Sequence, residues 1–149
     1  MIRVNQFFDK VYLLNLKRRA DRLAQSTKKL EKVGVDFERV EAVDAQASPE
    51  IRVQHEAYLA YPINDERSSA YDKKHKINSL QHLGNFGLLK SWEILLKEAL
   101  QKEYKSILIL EDDVIPHVNF ETRFSEFISQ IGQQDWKVIL LGANQRYWR

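Results

Sequence analysis

The 149-residue sequence contains no cysteine, which rules out disulfides, thiolate zinc sites and a cysteine nucleophile, and with them any clue to redox compartment. No apolar run approaches the length of a membrane span. The opening residues 1–9 lack the apolar core of a signal peptide. A cytosolic (cytoplasmic) protein is the simplest expectation, and peripheral membrane association remains compatible with it. Neither sign of charge dominates. The 23 basic and 21 acidic residues leave a net charge of +2, so the balance predicts no nucleic-acid partner. Basic clusters at 17–19, 28–29 and 73–76 read by default as solvated faces. His55, His75, His82 and His117 have no zinc-ligand spacing and read as surface or loop residues. There is no internal repeat or low-complexity segment, and nothing specifies an oligomeric state. What is present is a globular composition, 44% hydrophobic and 30% charged, on a chain long enough for one domain with its own core.

Val11–Leu16 is short, apolar and partly β-branched or aromatic, and predicts a buried strand. Ala20, Leu23, Thr27 and Leu30 recur at helical spacing over about residues 20–33, with Gly34 placed to cap the end. Phe37–Val43 alternates apolar and polar residues, predicting a second strand that Asp44 closes. Ser48-Pro49 suits a helix start, as N-cap and first helical position, for a helix to about Ala60. Residues 61–78, polar and broken by Pro62, predict a long loop of the kind that is often functional. After Gly84 and Gly87, the stripe Leu88, Leu89, Trp92, Leu95, Leu96 and Ala99 predicts a helix over about 86–102. Ser106–Leu110 predicts a strand covered on both faces. Phe120, Phe124, Phe127, Ile128 and Ile131 predict a helix, and Trp136–Leu141 a final strand. The alternation predicts an α/β fold: a Rossmann-like, mostly parallel sheet with helices on both faces.

In open α/β sheets, ligands bind at the carboxyl ends of the strands. Three polar clusters fall at such ends: Asn15–Arg19, Asp44 and Glu111-Asp112-Asp113. Side chains alternate in direction along a strand, so Glu111 and Asp113 are expected on one side and Asp112 on the other. Two carboxylates on one side suit a hard cation completed by water and phosphate. The plain alternative is a solvated acidic turn. Arg18, Arg19 and Arg22 at a helix start suit phosphate, or simply a charged helix surface. Asp44 suits a ribose hydroxyl or a base N–H, or serves as a turn residue. Gly84 and Gly87 allow close backbone approach to a ligand, or a tight turn. Trp148 suits stacking on a sugar, or packing.

Four segments together resemble glycosyltransferase family 25, which includes bacterial lipooligosaccharide galactosyltransferases and collagen galactosyltransferases. They are Val11–Leu23, with its Asn-Leu pair and arginines; Phe37–Asp44, ending Ala-Val-Asp; Gly84–Trp92; and Ile107–Val114, with its Leu-Glu-Asp-Asp. The resemblance implies a GT-A-like fold and a UDP-sugar donor carrying galactose or glucose. It also implies Mn²⁺ (or Mg²⁺) dependence and inverting transfer to a hydroxyl of a glycan or glycoprotein acceptor. By position it places Asn15, Leu16, Arg19 and Arg22 near the nucleotide, Asp44 at the uridine, and Gly84, Glu111 and Asp112 at the nucleotide-sugar. Asp113, with Glu111, would hold the metal.

Two positions depart from the family pattern: Asn85 stands for its usual Glu, and Trp92 for the His of a Ser-His pair. The chain is also short against family members, and no residue stands out as the general base that an inverting transfer needs. The single domain over residues 1–149 is therefore expected to be the donor-binding part of a longer enzyme or a shortened domain. The alternative is a non-catalytic nucleotide-sugar-binding module of the same fold. A metal-dependent phosphohydrolase ranks last, because no nucleophile motif accompanies the acidic triplet.

Overall fold

The structure is a computed structural model that describes residues 1–61, 70–75, 78–132 and 134–142. Trp148 and most of the segment after Tyr61 lie outside the described residues. Along the chain run α1 (Val4–Phe7), β1 (Lys10–Asn15), α2 (Ala20–Lys32), β2 (Glu38–Glu41), α3 (Pro49–Leu59), α4 (Ala70–His75), α5 (Leu83–Gln101), β3 (Ile107–Glu111) and α6 (Phe120–Ile131).

The three strands form a parallel sheet in the order β2-β1-β3. β1 is central, and its residues Val11–Asn15 are all buried. Alternation along β1 feeds two cores. Val11 and Leu13 pack with Val4, Phe8, Leu30, Leu108, Phe124 and Ile128 on one face, and Tyr12 and Leu14 pack with Leu95 on the other. Helices α1, α2 and α6 thus cover one face and α5 the other, as an α/β layered fold requires. Full burial of a residue such as Leu13 stabilises the fold by about 1.5–3 kcal/mol. The register pairs Leu14 with both Val40 and Glu111, and Asn15 with Glu41. That register brings the carboxyl ends of all three strands level.

Local chemistry sets the helix ends. The Ser48 hydroxyl accepts the Ile51 N–H at 3.3 Å, and Pro49 opens α3. Beyond α2, Gly34 takes φ +72° while its N–H bonds Glu31 O and the Val35 N–H bonds Leu30 O. Those two bonds make the left-handed C-terminal cap for which glycine is suited. α5 ends in the same bond pattern, from Glu103 N–H to Leu100 O and from Tyr104 N–H to Ala99 O, with Glu103 at φ +56°.

The structure differs from the sequence reading in four places. Trp136–Leu141 forms no strand ladder. Trp136 stacks on Phe7 at 6.3 Å and packs with Leu141 against the first core, while Val138 and Leu140 stay exposed. Only the two ends of this run pack against the core, and it makes no ladder bonds. Helix α4 occupies part of the segment read as a loop. α5 begins at Leu83, so Gly84 and Gly87 lie inside the helix instead of before it. α1, only four residues long, gave no periodic signal, yet Val4 is fully buried. Among the described residues, no helix is long and apolar enough to cross a membrane.

Candidate functional site

A cleft of about 250 Å³ opens at the carboxyl end of the sheet. Leu14 lies at its floor. The segment between β1 and α2 contributes Leu16 and Arg18, and the first turn of α2 contributes Arg22; the turn after β2 contributes Ala42–Gln46; α5 contributes Gly84, Leu88 and Ser91; and the end of β3 contributes Glu111 and Asp112. The volume is near the low end of small-molecule pockets, about 300–1,000 Å³. Leu16, Arg22, Asp44, Gly84, Glu111 and Asp112, which are far apart in sequence, therefore meet at one place.

Asn15 and Asp112 form the hub beneath the cleft. The Asn15 side chain is buried, and its Nδ2 donates to Asp112 Oδ2 at 2.8 Å and to Arg19 O at 3.0 Å. Its Oδ1 accepts from Arg39 Nε at 3.2 Å. Arg22 Nη1 donates to Asp112 Oδ1 at 3.2 Å, and the fully buried Ser26 hydroxyl donates to the Asp112 carbonyl at 2.6 Å. Asp112 is thus held from both its side chain and its backbone by β1 and α2. This network ties the acidic turn to the central strand.

Asp44 sits across the cleft. Its Oδ1 accepts the Gln46 N–H at 3.1 Å, its carbonyl accepts from Ala47 and Ser48 N–H, and its Oδ2 accepts from Arg18 Nε at 2.6 Å. The Arg18 guanidinium holds the Asp44 carboxyl below the usual carboxylate range. A ligand hydroxyl or N–H reaching Asp44 meets an acceptor that is already ionised and fixed in place.

The acidic end of β3 has a different character. Glu111 keeps a face to solvent, yet desolvation at the cleft wall raises its carboxyl above the usual value, and the nearby carboxylates of Asp113 and Asp112 push it further up. Asp113 is exposed on the turn and does not line the cleft. Arg19 also lies off the cleft. It makes a two-pronged pair with Asp21 at 2.9 and 2.8 Å, which lowers the Asp21 carboxyl to about 2. Among the described residues, no three His, Asp or Glu side chains form a metal cage. The donor set still fits a cation such as Mg²⁺, which takes one or two carboxylates and completes its shell with phosphate and water. A cation there would offset the smaller, like-charge part of the Glu111 shift that Asp113 and Asp112 cause.

Several cleft residues gave little sequence signal. Ala45 and Gln46 lie in a turn with no local pattern, and Ser91 is legible only as the serine beside Trp92, where the family pattern has a Ser-His pair. Asn85 donates from Nδ2 to Ser79 O at 2.8 Å, fixing the approach to α5, and Trp92 packs against the second core.

The family model described as Glycosyltransferase family 25 (LPS biosynthesis protein) matches residues 8–149. The chain is similar to procollagen galactosyltransferase 2 of Homo sapiens and of Mus musculus, each 28% identical over 140 residues, covering 93% of this chain and 21% of the relative. Procollagen galactosyltransferase 1-B of Xenopus laevis is 27% identical over 140 residues, with 93% and 22% covered. The chain spans about a fifth of the length of these curated relatives. No solved structure matches it.

Proposed function

The chain belongs to glycosyltransferase family 25, and on that premise we propose that it binds the UDP-sugar donor for transfer of galactose or glucose to a hydroxyl of a glycan or glycosylated protein. The observation that carries this reading is the convergence of Arg18 and Arg22, Asp44, and Glu111 at one cleft on the carboxyl edge of a parallel sheet. Ligands of open α/β sheets bind at that edge. In this reading Asp44 accepts a hydrogen bond from the nucleoside, and Arg18 and Arg22 face the diphosphate. Glu111 and Asp113 are the residues that would hold Mn²⁺ or Mg²⁺. When bound, such a cation offsets the charge that develops on a departing nucleoside diphosphate. Asn15 and Asp112 keep the acidic turn and the arginine segment in register. Transfer is read as inverting, and a cytosolic setting, testable by cell fractionation, goes with the proposal.

A second reading, donor binding without transfer, is favoured by Asn85 and Trp92. Both are committed to packing and hydrogen bonding, in places where the family pattern has ionisable groups.

Calorimetric titration of UDP-galactose, UDP-glucose and UDP, with and without Mn²⁺, tests the proposal, and a donor-hydrolysis assay follows for any binder. Binding with turnover supports the first reading, and binding without turnover selects the second. If no uridine nucleotide binds, both fail. Asp113→Ala should remove the Mn²⁺-dependent part of the affinity.

A further inference from the structure

Ser91 lies on the third turn of α5 and is 2% exposed, in a helix whose buried face is otherwise apolar or glycine. Its hydroxyl accepts the Val43 N–H at 2.8 Å and donates to the Gly87 carbonyl at 2.8 Å. Both of its hydrogen-bonding roles are therefore filled. Val43 is the residue before Asp44, and it has left the β2 ladder, so its N–H has no strand partner to return to. One turn earlier on the same helix, a Cβ added at Gly87 would come within 2.8 Å of Val43 O and 3.1 Å of Ala45 Cβ. The helix thus touches the backbone on both sides of Asp44, by a hydrogen bond at Val43 and by close packing that only glycine allows.

We infer that Ser91 is a positioning residue: with Gly87 it latches the 43–45 backbone to α5 and so sets where the Asp44 carboxylate stands in the cleft, opposite Arg18. The inference rests on the proposed nucleotide-binding role of the cleft and adds to it a determinant on α5. Ser91 acts through Asp44. Its removal should therefore weaken nucleoside recognition and leave the metal dependence of binding unchanged.

The test is a double-mutant cycle read by calorimetry with UDP on the full chain, comparing the parent, Ser91→Ala, Asp44→Ala and the double variant. Ser91→Ala leaves the Val43 N–H without its acceptor and should weaken UDP binding about tenfold. In the Asp44→Ala background the same change should cost less than about twofold, because the group it positions is gone. The Mn²⁺ dependence should match that of the parent. Ser91→Thr keeps the hydroxyl and should restore most of the affinity, and it decides the matter if the alanine variant does not fold. Gly87→Ala should reproduce the loss, since it displaces the same backbone.

Unchanged affinity in Ser91→Ala overturns the inference, and so does an equal loss with and without Asp44. If the parent binds no uridine nucleotide, the proposed function fails instead. The latch is then judged by amide hydrogen exchange at Val43 and by the Asp44 titration followed by NMR. Ser91→Ala should accelerate the first and shift the second toward the ordinary carboxylate value. No change in either overturns the latch.

Discussion

Asp112 and Asp113 are adjacent carboxylates, and their surroundings predict opposite consequences for losing them. The Asp112 side chain is 11% exposed and accepts from the buried Asn15 amide at 2.8 Å. A hydrogen bond to a charged group in such a place contributes about 1.5–3 kcal/mol. The Arg22 contact at 3.2 Å adds less, because that guanidinium is 42% exposed and screened; exposed pairs contribute about 0.2–1 kcal/mol. When Asp112 is gone, one Asn15 N–H keeps its bond to Arg19 O and the other loses its acceptor. Asp112→Ala should therefore cost about 2 kcal/mol, or about 4–8 °C in melting temperature for a chain of this size. Asp112→Asn retains an acceptor for Asn15 and should cost about half as much. Asp113→Ala, on an exposed turn, should stay within about 0.5 kcal/mol of the parent. Urea and thermal unfolding monitored by circular dichroism measure all three. Equal stability losses for the two alanine variants, or an Asp112→Ala variant as stable as the parent, would refute the assignment of Asp112 to the framework.

Three further substitutions probe the fold and its charges. Tyr12→Phe removes the hydroxyl bonded to Glu98 at 3.1 Å and should cost about 1 kcal/mol in urea unfolding. Burial and Glu98 push the Tyr12 hydroxyl up to about 12 from its usual 10.0, so the folded state holds that proton more tightly than the unfolded one. Stability should fall as pH rises from 10 towards 12, and the phenylalanine variant should show a shallower fall over that range. Arg18→Met removes the cation that lowers Asp44. Stability from this pair is fully present above the ordinary carboxylate value of 3.8 and is lost as pH falls through the lowered Asp44 value, so the variant should lose that segment of the parent's acid-unfolding curve. Glu103→Gly relieves a left-handed residue at the end of α5 and should raise stability by about 0.5–1 kcal/mol, read by thermal unfolding.

The parts of the fold that could be read from the sequence are those where burial has a period. β1 announces itself because every side chain from Val11 to Leu14 is apolar and both faces of the strand are covered. α2 carries its buried Leu30 and its closing Gly34 at the expected spacing. The failures fall where packing replaces period. Trp136–Leu141 has the apolar pattern of a strand, but a strand also needs a ladder partner, and Phe7 provides packing instead. Gly84 and Gly87 read as room for a ligand or as a tight turn before the helix. Gly87 instead sits inside α5 because Val43 O and Ala45 approach too closely for a Cβ, a long-range constraint that no local pattern carries. The acidic triplet was legible as a cluster, while the commitment of Asp112 to Asn15 was not, because that bond joins residues 97 positions apart.

The same long-range bonds divide the candidate site into two sets with different thermodynamic signatures. Asn15, Ser26, Ser91 and Asp112 have their hydrogen-bonding groups satisfied by protein partners, and the first three are fully or almost fully buried. A ligand cannot use those groups without first breaking internal bonds, so their loss should appear in stability or in the placement of a neighbour. Arg18, Glu111 and Asp113 are exposed, and Asp44 keeps a solvent-facing portion at the cleft. Glu111 in particular is held above its usual carboxylate value first by desolvation at the cleft wall and then by the charges of Asp113 and Asp112, and a bound cation would offset the latter. The sets overlap at Arg22, which grips Asp112 with one nitrogen while its half-exposed guanidinium borders the cleft. Arg22→Lys keeps the charge and loses the forked geometry. Under the proposed function it should therefore lower UDP affinity and stability together, whereas Arg18→Lys, on a more exposed pair away from the hub, should lower affinity with a smaller loss of stability. If calorimetry and thermal unfolding showed the two variants to be indistinguishable, Arg22 would have no double role and the boundary between framework and ligand-facing residues would have to be redrawn around Asn15 and Asp112.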